Sequence, residues 1–227
     1  MKILVTCEHG GTVVPNDLNR FLKIPELILK SHRGYDPGAL ACAEYAAKHM
    51  TANIITNKIS RLVIDFNRSE NHKELFSEYS KNLQEYQKQN LLQYHYLPYR
   101  KQAEEFIEKS LKTKQQILHL SFHSFTPELD GTVREADIGI LFDPKRKEEK
   151  TFSENLKKEI GTVDNTLRVR LNYPYSGKSD GLTTYFRSKY KTNYSGIEIE
   201  YNQSMLSNKN MVKSVTDKIT NFVKSLP

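Results

Sequence analysis

The sequence predicts an α/β fold, a three-layer sandwich on a mixed, mostly parallel sheet, and three observations carry that expectation. Short β-prone runs alternate with stretches of helical period along the whole chain, from Lys2–Thr6 to the amphipathic stretch 208–225. Several of the runs are apolar almost throughout, as strands covered on both faces are. No repeat or low-complexity linker divides the 227 residues, a length that suits one domain with a substantial core. A single domain over 1–227 is therefore expected.

Taken in order, Lys2–Thr6 reads as a first strand, followed by the loop Glu8-His9-Gly10-Gly11 and by Pro15. Asp36-Pro37 marks a helix start, with Asp36 placed to cap 38–50, where Leu40, Ala43, Ala47 and Met50 form an apolar stripe. Asn53–Thr56 and Arg61–Phe66 read as short buried strands, the second built on Leu62-Val63-Ile64. Residues 70–97 are polar and tyrosine-rich and suit an extended surface excursion, the one candidate lid. A helix over 99–114 turns Ala103, Phe106, Ile107 and Leu111 inward. Strands are expected at Ile117–Phe122 and Ala136–Phe142, a helix near 153–160, and a strand at Leu167–Leu171. Gly177–Gly181 is a loop, Ser195–Tyr201 a strand, and the closing helix repeats Met211, Val215, Ile219, Phe222 and Val223.

Composition removes whole classes of function. A hydrophobic fraction of 37% with 10 Phe and 13 Tyr is too apolar for disorder, and no run approaches the roughly 18 apolar residues of a membrane span. Met1-Lys2-Ile3-Leu4-Val5 meets Thr6, Cys7, Glu8 and His9 too soon for a signal peptide. Cys7 and Cys42 make no disulfide framework and read as reduced thiols, so a cytoplasmic location is expected. Lys+Arg outnumber Asp+Glu by 34 to 27, a formal +7, but most lysines are mixed with glutamates on helical faces, as over 101–114 and 145–158. Without a basic stripe carrying interleaved aromatics, a nucleic-acid partner is not expected, whereas a small anionic substrate is.

Chemistry collects where the strands end, as it does in open α/β sheets. The first strand runs into Glu8-His9, the strand at Ile117 into His123, and Arg61–Phe66 into Asn67-Arg68, while the late strand carries Glu198 and Glu200. His9, His123 and a carboxylate have the ligand count of a catalytic zinc, with Asp36 and Glu8 competing for the third place. No H-E-x-x-H spacing is present, so distant segments must assemble any such site. His119 shares a strand face with His123 and reads as a core or supporting residue, and Cys7 alternates away from Glu8 as a buried thiol. Glu198 and Glu200 are two apart and share a face, which is costly to bury unless paired or functional. Asn67-Arg68 offers an amide beside a planar fork able to grip a carboxylate, with Arg33, Arg61 and Arg134 as further positive charge.

The ordered set Cys7-Glu8-His9-Gly10-Gly11 with Pro15, Tyr35-Asp36-Pro37-Gly38-Ala39 and Ser60-Arg61-Leu62-Val63-Ile64-Asp65-Phe66-Asn67-Arg68 runs on through the chain. It continues in His123-Ser124-Phe125-Thr126-Pro127, Asp137-Ile138-Gly139-Ile140-Leu141, Tyr173, Ser176-Gly177, Asp180-Gly181 and Ile197-Glu198-Ile199-Glu200. Together these resemble the N-formylglutamate amidohydrolase family, whose phosphorylase/hydrolase-like fold is related to zinc carboxypeptidases and aspartoacylases. The resemblance implies a zinc-dependent hydrolase of the C–N bond of a small anionic N-acyl amino acid such as N-formylglutamate. It implies His9, Asp36 and His123 as metal ligands, and Glu200, with Glu198 as its rival, as the catalytic carboxylate. Asn67 and Arg68, with Arg33, would bind substrate, and Arg61 or Arg134 would polarise the scissile carbonyl. The sequence departs from the related carboxypeptidases where Thr12 stands three residues after His9 in place of a glutamate ligand, and again in the insertion at 70–97. A carboxypeptidase-like peptidase or amidase acting on a peptide or cell-wall substrate is the alternative.

Overall fold

The structure, a computed structural model, describes residues 1–226. In chain order the elements are β1 (Lys2–Cys7), α1 (Asn19–Leu22), α2 (Glu26–Leu29), α3 (Ala39–Met50), β2 (Asn53–Thr56), α4 (Glu85–Leu91), α5 (Leu97–Lys112) and β3 (Ile117–Phe125). Then come β4 (Glu128–Leu129), β5 (Thr132–Val133), β6 (Ile138–Leu141), α6 (Lys147–Gly161), β7 (Val169–Leu171), α7 (Leu182–Lys189), β8 (Tyr194–Asn202) and α8 (Lys209–Lys224). Six strands form one sheet in the order β2-β1-β3-β8-β6-β7. The first four run parallel, and β6 and β7 run together against them. This is the mixed, mostly parallel sheet expected, with helices on both faces.

The strand sequences explain the layers through their period of two. On one face Val5, Cys7, Leu118, Leu120, Phe122, Ile197 and Ile199 join the inward stripes of α3, α6 and α8 in a continuous apolar core. A second core gathers Leu4, Ile55, Ile117 and Tyr194 with residues of α5 and α7 on the other side. The alternate residues Thr6, His119, Ser121, His123, Glu198 and Glu200 are polar yet buried. In the register of the sheet Ser121 stands beside Glu198 and His123 beside Glu200. A polar ladder therefore runs through the middle strands beneath protein, where the same alternation in an antiparallel sheet would face water.

Several expectations are different in the structure. Arg61–Phe66 is not a strand but a tight turn, because the Ser60 hydroxyl caps Leu62 N and the Ser60 carbonyl accepts from Val63 N. Asn53–Thr56 does form a strand, but at the sheet edge, where only Ile55 is buried. Residues 70–97 are not an extended excursion or a lid. Leu75, Leu83, Leu91, Leu92 and Tyr96 are buried in the second core, and a reciprocal Gln84–Gln87 capping box starts α4. A π-helical turn at Leu92–Tyr96 joins α4 to α5 just ahead of Pro98, whose ring and missing N–H disturb the regular helical ladder. Helix α7 was not expected at all. Finally, Asp36 does not cap α3: the cap position is Gly38, at φ 79°, and the Asp36 side chain turns toward the two imidazoles.

Candidate metal-binding cleft

At the C-terminal ends of β1, β3 and β8 lies a cleft of about 250 Å³. Each wall is fixed by the segment that brings it. Glu8 and His9 leave β1, and the Asn57 amide holds the Glu8 carbonyl at 2.8 Å. Asp36 N donates to the His9 carbonyl at 2.9 Å, which clamps the second loop to the first. The Ser60 hydroxyl reaches the Gly34 carbonyl at 2.8 Å and brings in the turn that carries Arg61 and Asp65. Because that segment turns instead of running extended, Arg61 and Asp65 meet as an i,i+4 pair at 3.0 Å. The same stretch in extended form would separate them by about 13 Å.

One carboxylate oxygen joins the two histidines. Asp36 Oδ2 lies 2.8 Å from His123 Nδ1 and 3.3 Å from His9 Nδ1. One donor atom from each of His9, Asp36 and His123 falls within 4.8 Å of the other two, and all three residues are buried. Both imidazoles are held from behind: His9 Nε2 by Asp65 Oδ1 at 2.7 Å, and His123 Nε2 by Glu8 Oε2 at 3.0 Å and Ser121 Oγ at 2.9 Å. Glu8 itself accepts from Ser121 at 2.6 Å and from the Tyr99 hydroxyl at 3.1 Å. Of the two carboxylates competing for the central position, Asp36 stands between the histidines and Glu8 stands behind one of them. This is the pattern of metal-binding histidines oriented by outer carboxylates.

The electrostatics follow the geometry. Burial works against ionising Asp36, yet the His9 and His123 imidazoles hold its carboxyl well below the usual range. Asp65 is likewise held low, against its burial, by His9 and Arg61. Glu8 is drawn down to about 2 despite complete burial, chiefly through His123 and Ser121. His123 is raised, against burial, by its hydrogen bonds to Asp36 and Glu8. Glu200 goes the other way: burial lifts it to about 8, and its Oε2 has no hydrogen-bond partner. Glu198 instead accepts from the Thr183 hydroxyl at 2.5 Å.

Of the remaining residues singled out in the sequence, Asn67, Arg68 and Arg61 line the cleft. Asn67 Oδ1 accepts from Leu182 N at 2.7 Å, and Arg68 donates to the Asp180 carbonyl at 3.2 Å. Arg33 does not reach the cleft. It follows α2 on an exposed turn, and its guanidinium pairs with Glu78. Arg134 is buried outside the lining, 3.0 Å from the Tyr175 hydroxyl, with its guanidinium against the Phe125 and Tyr175 rings. Asp65, Ser121, Tyr175 and Asp180 also support or line the cleft, and none of them carries a role assigned from the sequence. Ser121 had a signal, since it alternates with His119 and His123; Asp65 was hidden by the strand reading of its segment. Cys7 is buried as expected, its thiol pushed well up by burial and by Glu8.

The description N-formylglutamate amidohydrolase belongs to the family that matches residues 1–207. The fold is similar to the crystal structure of a gene product from Agrobacterium tumefaciens, with a TM-score of 0.81 and 25% identity over 97% of this chain and 88% of that one. It is also similar to an N-formylglutamate amidohydrolase from Ralstonia eutropha, with a TM-score of 0.74 and 15% identity over 99% of this chain and 92% of that one. No curated protein sequence matches the chain. With the family matched over all but the last twenty or so positions, including every segment that walls the cleft, this chain belongs to the N-formylglutamate amidohydrolase family.

Proposed function

We propose that the protein is a zinc-dependent amidohydrolase that cleaves the amide bond of a small N-acyl amino acid, with formyl as the expected acyl group. The observation that carries this reading is the convergence of His9 Nδ1, Asp36 Oδ2 and His123 Nδ1 beside the buried, unpartnered Glu200 Oε2. Two nitrogens and one carboxylate oxygen suit zinc, and the outer carboxylates on both Nε2 atoms supply the support such ligands need. When bound, zinc would polarise the acyl carbonyl and acidify the attacking water.

The protein's own groups account for the other steps. Arg68 presents its free guanidinium edge to the substrate carboxylate, and the Asn67 side chain, anchored through Leu182 N, sets the position of that carboxylate beside His123. Arg61, held by Asp65 and lying 3.5 Å from Asp36, faces the oxyanion that develops at the carbonyl. Glu200 Oε2 takes the proton of the attacking water and passes it to the departing nitrogen as the C–N bond breaks, leaving a carboxylic acid and a free amine. Burial raises its carboxyl, which makes it the stronger proton acceptor once ionised. Glu198 is tied to Thr183 and is the less suited carboxylate. Arg134 acts at one remove by orienting the Tyr175 hydroxyl.

A cleft of about 250 Å³ is small beside the roughly 300–1,000 Å³ of pockets for larger ligands, which favours one N-acyl amino acid over a peptide or cell-wall strand. We place the reaction in the cytoplasm, where the free buried thiols of Cys7 and Cys42 stay reduced. The test is elemental analysis of untagged protein together with turnover of an N-formyl amino-acid panel. About one zinc per chain, lost in His9→Ala and His123→Ala along with activity, is expected. Full activity in protein stripped of metal would overturn the reading.

A further inference from the structure

We propose that Tyr96 and Arg100, at the start of α5 and outside the cleft, are positioning residues that fix Arg68 for the substrate carboxylate. The inference rests on the amidohydrolase reading above, in which Arg68 grips that carboxylate.

Arg68 follows the turn that carries Arg61 and Asp65, and its backbone is pinned on both sides. Arg68 N donates to the Asp65 carbonyl at 3.1 Å. The peptide group that follows is held at both edges. Its oxygen, the Arg68 carbonyl, accepts from the Tyr96 hydroxyl at 2.7 Å and from Arg100 Nη1 at 3.2 Å, while Ser69 N donates to Asp180 Oδ2 at 2.9 Å. The backbone has only two soft dihedrals per residue, so holding the peptides before and after Arg68 fixes the direction in which its side chain leaves. Among the described residues the guanidinium itself makes one hydrogen bond, to the Asp180 carbonyl at 3.2 Å. Its aim into the cleft therefore depends on how firmly its root is held.

Arg100 carries the clearest sign of this role. It is 8% exposed, and among the described residues it forms no ion pair. Its guanidinium lies over the Tyr96 ring, 5.1 Å from the centroid, and over the Tyr185 ring of α7 at 4.3 Å. Burying a cation is costly, and this one is directed to a single peptide oxygen at the root of Arg68. Tyr96 is 1% exposed and stands four residues earlier, so one helical face brings both donors to the same oxygen. Neither side chain lines the cleft, so both act through Arg68.

The experiment measures kcat and KM of the zinc-loaded enzyme for the best substrate of the N-formyl amino-acid panel and for that compound's α-amide, with metal content followed in parallel. Tyr96→Phe keeps the ring beneath Arg100 and removes one donor. It is expected to raise KM for the acid about fivefold with kcat within about twofold, and Tyr96→Phe/Arg100→Gln about twentyfold, the pattern of lost ground-state binding. The α-amide offers Arg68 no charge, so its kcat/KM should fall less than about twofold in the same variants. In an Arg68→Ala background the two substitutions should add nothing, as expected of residues that act through Arg68. An unchanged KM for the acid in Tyr96→Phe overturns the proposal. Equal losses for acid and amide, lowered metal content, or undiminished losses on top of Arg68→Ala overturn it too, since each marks a merely structural role. All of these leave the amidohydrolase reading standing. No turnover across the panel by the unaltered enzyme overturns that reading, and the proposal with it.

Discussion

Asp36 Oδ2 accepts from two imidazole nitrogens whose opposite ring atoms also face carboxylates. Without an ion, protons on both Nδ1 atoms hold this arrangement together; a metal at the same place replaces them. Zinc uptake is therefore expected to release about two protons and to tighten as pH rises. Calorimetric titrations in buffers of different ionisation enthalpy would show the release, and an affinity independent of pH would refute it. Glu200→Gln should keep zinc and lose turnover by roughly 100- to 10,000-fold, as removal of a general base does. His123→Ala should lose both metal and activity, and assays with parallel metal analysis separate the two. If Glu200→Gln stays active, Glu198 becomes the candidate. His9, His123 and Glu200 were legible because they sit on or just beyond strands of plain alternation. Asp65 and the true place of Arg33 were not, since each depends on a turn whose shape is set by the Ser60 side chain and by packing distant in sequence.

Helix α7 shows why some elements escaped the sequence. Its Leu-Thr-Thr-Tyr-Phe-Arg-Ser-Lys run is poor in strong helix formers and follows a glycine- and serine-rich loop. Tertiary contacts hold it instead. Arg187 sends Nε to both oxygens of Glu149 at 3.1 and 3.0 Å, and its terminal nitrogens to the Gly177 and Gly196 carbonyls, each at 2.6 Å. Glu149 is fully buried and also accepts from Gly196 N at 3.0 Å. One guanidinium thus binds α7 to α6, to β8 and to the loop along the cleft. Arg187→Met would leave Arg146, 3.0 Å away, as the remaining cation on Glu149 and free the Gly177 and Gly196 carbonyls, and a loss of about 1–3 kcal/mol is expected from denaturant unfolding. A change under 1 kcal/mol would show that the pair is not a structural joint. The six strands of the main sheet and the long helices α3, α5 and α8 were legible within a few residues because their apolar period matches one face of the sheet, whereas α6 starts six residues ahead of the expected 153.

Across the whole molecule the expected architecture and its layers hold, because apolar period and element alternation are properties of the chain at large. None of the described helices is long and apolar enough to cross a membrane. The buried polar ladder nevertheless ties stability to pH. His119, between the Thr6 hydroxyl and the Tyr194 hydroxyl at 2.7 Å each, is lowered by burial from 6.5 to about 4. Above about pH 6.5 it is neutral in both folded and unfolded chains. As pH falls below that, the unfolded chain takes the proton first, so stability is lost progressively down to about pH 4, by roughly 3 kcal/mol at most. Unfolding midpoints of the protein and of His119→Gln across that window should converge at the acidic end, and parallel curves would exclude the histidine as the cause.

The path of residues 173–181 has a wider consequence. The Tyr173 carbonyl lies where a Cβ on Gly139 would stand, 2.2 Å from it, and the Phe142 backbone nitrogen is as close as 2.1 Å to a Cβ on Gly177. Bare glycines let this loop lie close against β6 on the face away from α6. His123 and Glu200 stand side by side in the register of the sheet, whereas Tyr175, Ser176, Ser179 and Asp180 ride on a ribbon resting on two missing side chains. On the proposed amidohydrolase reading, the metal-facing groups and the 173–181 wall of the cleft thereby lie on separately replaceable stretches of chain. If that reading holds, exchanging this ribbon while both glycines and the strand register beneath it stay as they are should change which acyl amino acid is taken without loss of the metal.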